Sequence, residues 1–204
     1  MRRGSSGEHF LRRIERIRAA IPDVTLRTSF IVGFPGETEE DLKLLLDFVE
    51  AAQFDHLGVF LYSNEETSSS YALPGQVPAA VAGRRKQKLM ALQRTISRRK
   101  LRQRVGRSWP VLVEGRSQET ELLFQGRLES QAPGIDGHVL INDFEGAEPR
   151  AGEFRWATIT AAADYDLVSR LEARTFAGRV VPNSPSPAGS RLVQIRPPAV
   201  PASA

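Results

Sequence analysis

The chain has 204 residues, 41% of them hydrophobic and 25% charged, with a formal net charge of +4 and no cysteine. That composition supplies one or two packed domains; no apolar run approaches the ~20 residues of a membrane span. The absence of cysteine excludes disulfides, thiolate zinc sites and iron–sulfur ligation by this chain.

The opening Met1-Arg-Arg-Gly-Ser-Ser lacks the apolar stretch of a signal peptide, which predicts a cytoplasmic protein. His9, His56 and His138 are far apart and show no metal-ligand spacing, so no metal site is expected. No serine stands in an elbow or triad context.

In chain order, Ser5-Ser-Gly-Glu8 has capping-box spacing, and Phe10, Ile14, Ile17 and Ile21 recur at helical intervals until Pro22. From Val24 to Val32 the residues are largely β-branched or aromatic, predicting a strand buried on both faces of a parallel sheet. Gly33, Pro35 and Gly36 then make a shaped loop, and Thr38 is placed to cap a helix from about Glu39 to Ala52. A second strand is predicted from His56 to Tyr62. In a β/α architecture the loops after strands lie on the ligand face, so the glycine loop and the polar segment 63–78 share it. Two readings of the glycine loop stand: it presents backbone groups to a small molecule, or it is a well-made turn without a ligand. It is neither a dinucleotide fingerprint nor a P-loop.

A long helix follows from about Ala79 to Arg104, with Leu89, Leu92, Ile96 and Leu101 as its apolar seam and Gly106 as its stop signal. Residues 84–104 hold ten lysines and arginines and no carboxylate, either a nucleic-acid contact or a solvated basic face. After Gly106 the period changes. Trp109–Val113, Glu121–Gly126, His138–Asn142, Phe154–Ala161 and Tyr165–Leu171 read as five short strands, predicting a small antiparallel barrel of the oligonucleotide-binding type. From Ala173 the composition collapses into Pro, Ser, Ala and Val, expected to be a disordered tail over 173–204.

A β/α barrel takes roughly 200 residues or more. The first hundred residues here supply two strands and three helices, which cannot close a barrel or cover their own sheet. The expectation is the end of a longer protein or half of an assembly.

These residues resemble the radical-SAM methylthiotransferases, most closely the type that modifies an aspartate of a small-subunit ribosomal protein, over approximately residues 2 to 171. The most specific pieces are Leu26-Arg-Thr-Ser-Phe-Ile-Val-Gly-Phe-Pro-Gly-Glu-Thr38, Phe54-Asp-His-Leu-Gly-Val-Phe-Leu-Tyr-Ser63, and Gly126-Arg-Leu-Glu-Ser-Gln-Ala-Pro-Gly-Ile-Asp-Gly-His-Val-Leu-Ile-Asn-Asp143. The first is shared with tRNA-modifying relatives; the third looks like the ribosomal-protein branch.

The resemblance implies the carboxy-terminal part of a radical-SAM β/α barrel over 1–82, a basic connecting helix over 83–104 and a five-stranded TRAM barrel over 105–172. It implies S-adenosylmethionine as cofactor and two four-iron four-sulfur clusters. In the family a reduced cluster cleaves the cofactor to a deoxyadenosyl radical, the aspartate β-carbon loses a hydrogen, and sulfur and methyl are installed there. By motif, Gly33, Phe34, Pro35, Gly36 and Glu37 fall where the family's loop approaches the cofactor, and Tyr62 and Ser63 fall beside the adenine. Arg27 is either a partner of the methionyl carboxylate or a structural strand residue.

The resemblance breaks in two places. The family's six cluster-binding cysteines belong to segments preceding Met1, so this chain alone is expected to be inactive. The family's Glu-Glu-Gly-Thr after Tyr-Ser is here Glu65-Glu66-Thr67 followed by three serines.

The candidate partners are the small-subunit ribosomal protein, met by the TRAM-like region, and RNA, met by the basic helix. Residues 105–172 carry twelve carboxylates against six arginines, which is either a match for a basic protein rather than a phosphate backbone or an acidic solvated surface with no partner. A tRNA methylthiotransferase fragment and a non-catalytic binding module remain the alternatives.

Overall fold

The computed structural model describes residues 7–175 and divides the chain into two compact units that meet at Ser97 and Arg98. The element order is α1 (Gly7–Ala20), β1 (Arg27–Val32), α2 (Glu39–Ala52), β2 (His56–Leu61), α3 (Ala79–Arg102), β3 (Ser108–Arg116), β4 (Phe124–Arg127), β5 (Val139–Phe144), β6 (Phe154–Ala162) and β7 (Leu167–Thr175). The unit boundary falls within α3. The capping box at Ser5 and the tail from residue 176 lie outside the described residues.

In the first unit β1 and β2 pair in parallel, Arg27 opposite His56 through Val32 opposite Leu61. Their order within α-β-α-β follows the apolar periodicity, and α2 opens as its sequence dictates. Thr38 accepts a hydrogen bond from the Asp41 amide while the Asp41 carboxylate accepts from the Thr38 amide, a reciprocal capping box. Val32, Leu57 and Val59 pack with Leu42, Val49 and Leu89 into the core.

The expectation that the first strand is buried on both faces is corrected. Val24–Leu26 form a lead-in rather than strand, tied to the next crossover because the Leu26 amide donates to Asp55 Oδ2 at 2.8 Å. Within β1 burial alternates: Val32 is fully buried while Ile31 is 50% exposed, and on β2 Val59 is buried while Phe60 is 59% exposed. The helices fill one face of a sheet that has two strands. Ser29, Ile31, Gly58 and Phe60 line the open face.

The second unit is a closed barrel in the order β3-β4-β5-β7-β6. Its core is the inward row of each strand, including Val111, Val113, Val139, Ile141, Ile159 and Leu171. Four of the five pairings are antiparallel, but β5 and β7 run parallel. An all-antiparallel barrel is therefore corrected, and the reason is topological. Strand directions cannot alternate around a closed ring with an odd number of members, so five strands must include a parallel neighbour pair.

The expected disorder from Ala173 is corrected for its first residues. β7 continues to Thr175, whose backbone pairs with Arg155, and the Arg174 guanidinium lies 4.6 Å from the Trp156 ring centroid. Among the described residues no helix is long and apolar enough to cross a membrane.

Candidate functional site: the loops after β1 and β2, and the barrel

Because β1 and β2 are parallel, their following loops leave the sheet at the same end. The structure brings them into contact: the Gly36 amide donates to the Gly75 carbonyl at 2.8 Å, and the Phe34 and Tyr62 rings meet edge to face with centroids 5.2 Å apart. Phe34 is 38% exposed. Tyr62 is fixed by its hydroxyl, which donates to Ser70 Oγ at 2.8 Å and Asn64 Oδ1 at 3.1 Å. Ser63 donates to Glu65, so the first residues of the polar segment fold back on one another.

The glycine loop is held from inside. Gly33 and Gly36 have φ of 85° and 83°, conformations that side chains rarely adopt. The Gly33 amide donates to Glu37 Oε2 at 2.9 Å and the Glu37 amide to the Phe34 carbonyl at 3.0 Å. Three amides of this loop, those of Gly33, Gly36 and Glu37, are thus bound within the protein. What the loop exposes is the Phe34 ring rather than a nest of N–H donors. An exposed aromatic ring beside amides that are already bound suits a flat heterocycle, and an anion poorly.

Seven of the eight candidate cofactor residues, Gly33, Phe34, Pro35, Gly36, Glu37, Tyr62 and Ser63, gather at this end. Arg27 does not. It begins β1, five residues from Val32 and about 17 Å away along the strand at the usual rise. It shares the open face with Ser29 and Ile31.

Sequence reasoning missed Arg85. It sits in the second turn of α3, 5% exposed, and its guanidinium spans two carboxylates. Nη1 donates to Glu37 Oε1 at 2.7 Å and to the Glu37 carbonyl at 3.1 Å, while Nε and Nη2 donate to Glu39 Oε1 at 3.2 and 2.9 Å. The Arg85 hydrogen bond and charge hold the Glu39 carboxyl below its ordinary value. The available signal was spacing: Ala82, Arg85, Leu89, Gln93 and Ile96 form one buried stripe.

The basic helix is therefore not uniformly a phosphate surface. Arg85 is internal, and Arg98 is paired through Nε with Asp164 Oδ1 at 2.7 Å.

On the barrel, Glu172 collects hydrogen bonds from Ser108, from Thr158 at 3.1 Å and from Arg174 Nε at 2.7 Å. Burial pushes its carboxyl up, but those bonds outweigh burial and leave it lowered.

The residues present do not fit an iron–sulfur cluster. The chain has no cysteine, and among the described residues no group of three His, Cys, Asp or Glu is placed to hold a metal. The Phe34 and Tyr62 rings beside the glycine turn are the groups that an adenosyl group would meet at this end of the sheet.

A family model described as a TRAM domain matches residues 105–171. The chain is similar to the ribosomal protein uS12 methylthiotransferase RimO of Solibacter usitatus, 58% identical over 185 residues that cover 91% of this chain and 40% of that protein. The protein of the same name from Koribacter versatilis is 54% identical over 174 residues, 84% of this chain and 34% of the relative. That from Sorangium cellulosum is 48% identical over 179 residues, 88% and 36%. The chain spans roughly two fifths of the length of the first of these relatives and about a third of the other two. Over that share of their length the chain is similar to the ribosomal protein uS12 methylthiotransferases, and its residues 105–171 match the TRAM domain model.

Proposed function

We propose that this chain supplies the cofactor-facing strand ends and the substrate-docking barrel of an enzyme that methylthiolates an aspartate of ribosomal protein uS12. The observation that carries this reading is the identity to proteins of that name, which runs through both the glycine loop and the barrel. Bound here, S-adenosylmethionine would supply the transferable methyl group. Phe34 and Tyr62 would flank its adenine, and the half-barrel of residues 1–82 would wall one side of the site. The acidic barrel, residues 105–172, would attract a basic ribosomal protein by charge. The cluster ligands of the complete enzyme would come from residues outside this sequence.

Titration calorimetry of the chain with S-adenosylhomocysteine tests the cofactor half. The Phe34→Ala and Tyr62→Ala variants should each weaken binding about tenfold, the loss of one aromatic contact of ~1.4 kcal/mol. Undiminished affinity in both would remove the site. The polypeptide detected in source cells by a probe to the barrel tests the enzyme half: a chain near twice 22.6 kDa supports it, and a product of 22.6 kDa leaves a binding module.

An RNA-binding reading draws on the lysines and arginines of α3, but Arg85 and Arg98 are already engaged with carboxylates. The protein partner is preferred for the barrel.

A further inference from the structure

We infer that Arg85 is a positioning residue for the adenosyl cofactor, acting through Glu37 to hold the Gly33–Glu37 loop in its bound shape. This rests on the reading that the loop meets that cofactor.

The geometry is a relay of two steps. Gly33 adopts a left-handed conformation, and its amide is satisfied by Glu37 Oε2. The same carboxylate gives its other oxygen, Oε1, to Arg85 Nη1. The pair is shielded, with side-chain exposures of 6% for Arg85 and 15% for Glu37. A shielded carboxylate that loses its cation turns outward to water. The Gly33 amide would then lose its acceptor, and the turn that carries Phe34 would lose its anchor.

α3 is itself placed to do this. A Cβ on Gly33 would lie 2.7 Å from the Ala82 Cβ, so the helix turn bearing Ala82 and Arg85 abuts the loop directly. Glu39 is the solvent-side partner, 67% exposed, and orients the guanidinium fork without touching the loop's glycine. The motif that presents the ring is therefore set from behind by a residue 48 positions later in sequence.

A double-mutant cycle on the full 204-residue chain separates positioning from general stability. The variants are Arg85→Met, Glu37→Ala and the pair together, with Arg85→Lys and Glu39→Gln alongside. Two readouts are taken: amide hydrogen exchange at Gly33 and Gly36, and affinity for S-adenosylhomocysteine.

Arg85→Met should speed exchange at Gly33 and weaken binding by about tenfold, the loss of one charge-assisted contact. In the Glu37→Ala background it should add nothing further to either readout. Arg85→Lys should recover part of the affinity, and Glu39→Gln should change it little. Should Arg85→Met lose its fold by circular dichroism, Arg85→Lys carries the comparison, because it keeps the charge and loses the fork.

Unchanged Gly33 exchange in a folded Arg85→Met, or an equal loss of affinity with and without Glu37, overturns the inference. A wild-type chain that binds no S-adenosylhomocysteine overturns the cofactor reading instead, and with altered Gly33 exchange it leaves Arg85 a structural latch without a positioning role.

Discussion

Arg155 concentrates more of the barrel's polar chemistry than any motif in the sequence announces. It is fully buried, and it donates to the carbonyls of Glu145, of Ala147 at 2.8 Å and of Glu172 at 3.0 Å, with Glu153 Oε1 3.5 Å from Nη1. Arg155→Leu would keep the apolar stem and strand three carbonyls without their donor. The expected cost is about 3 kcal/mol, read by urea unfolding followed through Trp109 and Trp156 fluorescence; a change under ~0.5 kcal/mol would mean that water replaces the guanidinium. Glu172 supplies a pH dependence whose sign is fixed by its partners. Its folded carboxyl is lowered from the ordinary 4.5, so the unfolded chain binds the proton first. Its stabilisation is complete above about 4.5 and is lost as pH falls through the lower folded value. The stability gap between wild type and Glu172→Gln should therefore begin to narrow as the pH falls below about 4.5, and a gap that stays constant under acid would place the carboxylate's contribution elsewhere. Neither residue was legible in the sequence as more than one charge among many. An arginine or glutamate in a strand reads as surface until the backbone carbonyls around it are known.

At the scale of elements, apolar period carried most of the prediction, and its failures have physical causes. α2 and the parallel pairing of β1 and β2 follow from periodicity and short crossovers. The stripe of α3 was visible in Leu89 and Ile96, but Arg85 and Gln93 hid their places on it because their type suggests solvent. Gln93 instead donates to the carbonyls of Phe54 and Asp55 at 3.0 and 3.2 Å. The five barrel strands were legible by their turn residues; the parallel β5–β7 pair was not, since it arises from closing the ring. The entrance to that pair depends on Gly137. A Cβ there would lie 2.0 Å from the Tyr165 carbonyl oxygen, and His138 is tied across the same gap by its amide to Asp166 Oδ1 at 2.7 Å. Gly137→Ala must push two backbones apart at the start of the pair. The expected loss is about 2–3 kcal/mol of barrel stability by urea unfolding. A near-neutral result would show that the 133–138 turn yields without disturbing β5.

At the scale of the whole molecule, the chain carries more apolar surface than its own folded parts use. Ile31 and Phe60 sit side by side in the parallel register, with Gly58 and Ser29 on the same open face. Side chains of this size at half exposure, contiguous across two strands, mark a surface made to be covered. Function and stability separate at these positions. In the isolated chain Ile31→Thr with Phe60→Thr should change unfolding free energy by less than about 1 kcal/mol, because neither residue belongs to the buried core, whereas Val59→Thr on the opposite face should cost about 2 kcal/mol. Binding of an environment-sensitive apolar dye should fall with the first pair and not with the second. If the Ile31 and Phe60 changes destabilise as strongly as Val59→Thr, and the loss grows with protein concentration, the open face is buried in solution against a second copy of the chain, and its apolar character then belongs to an interface rather than to a site.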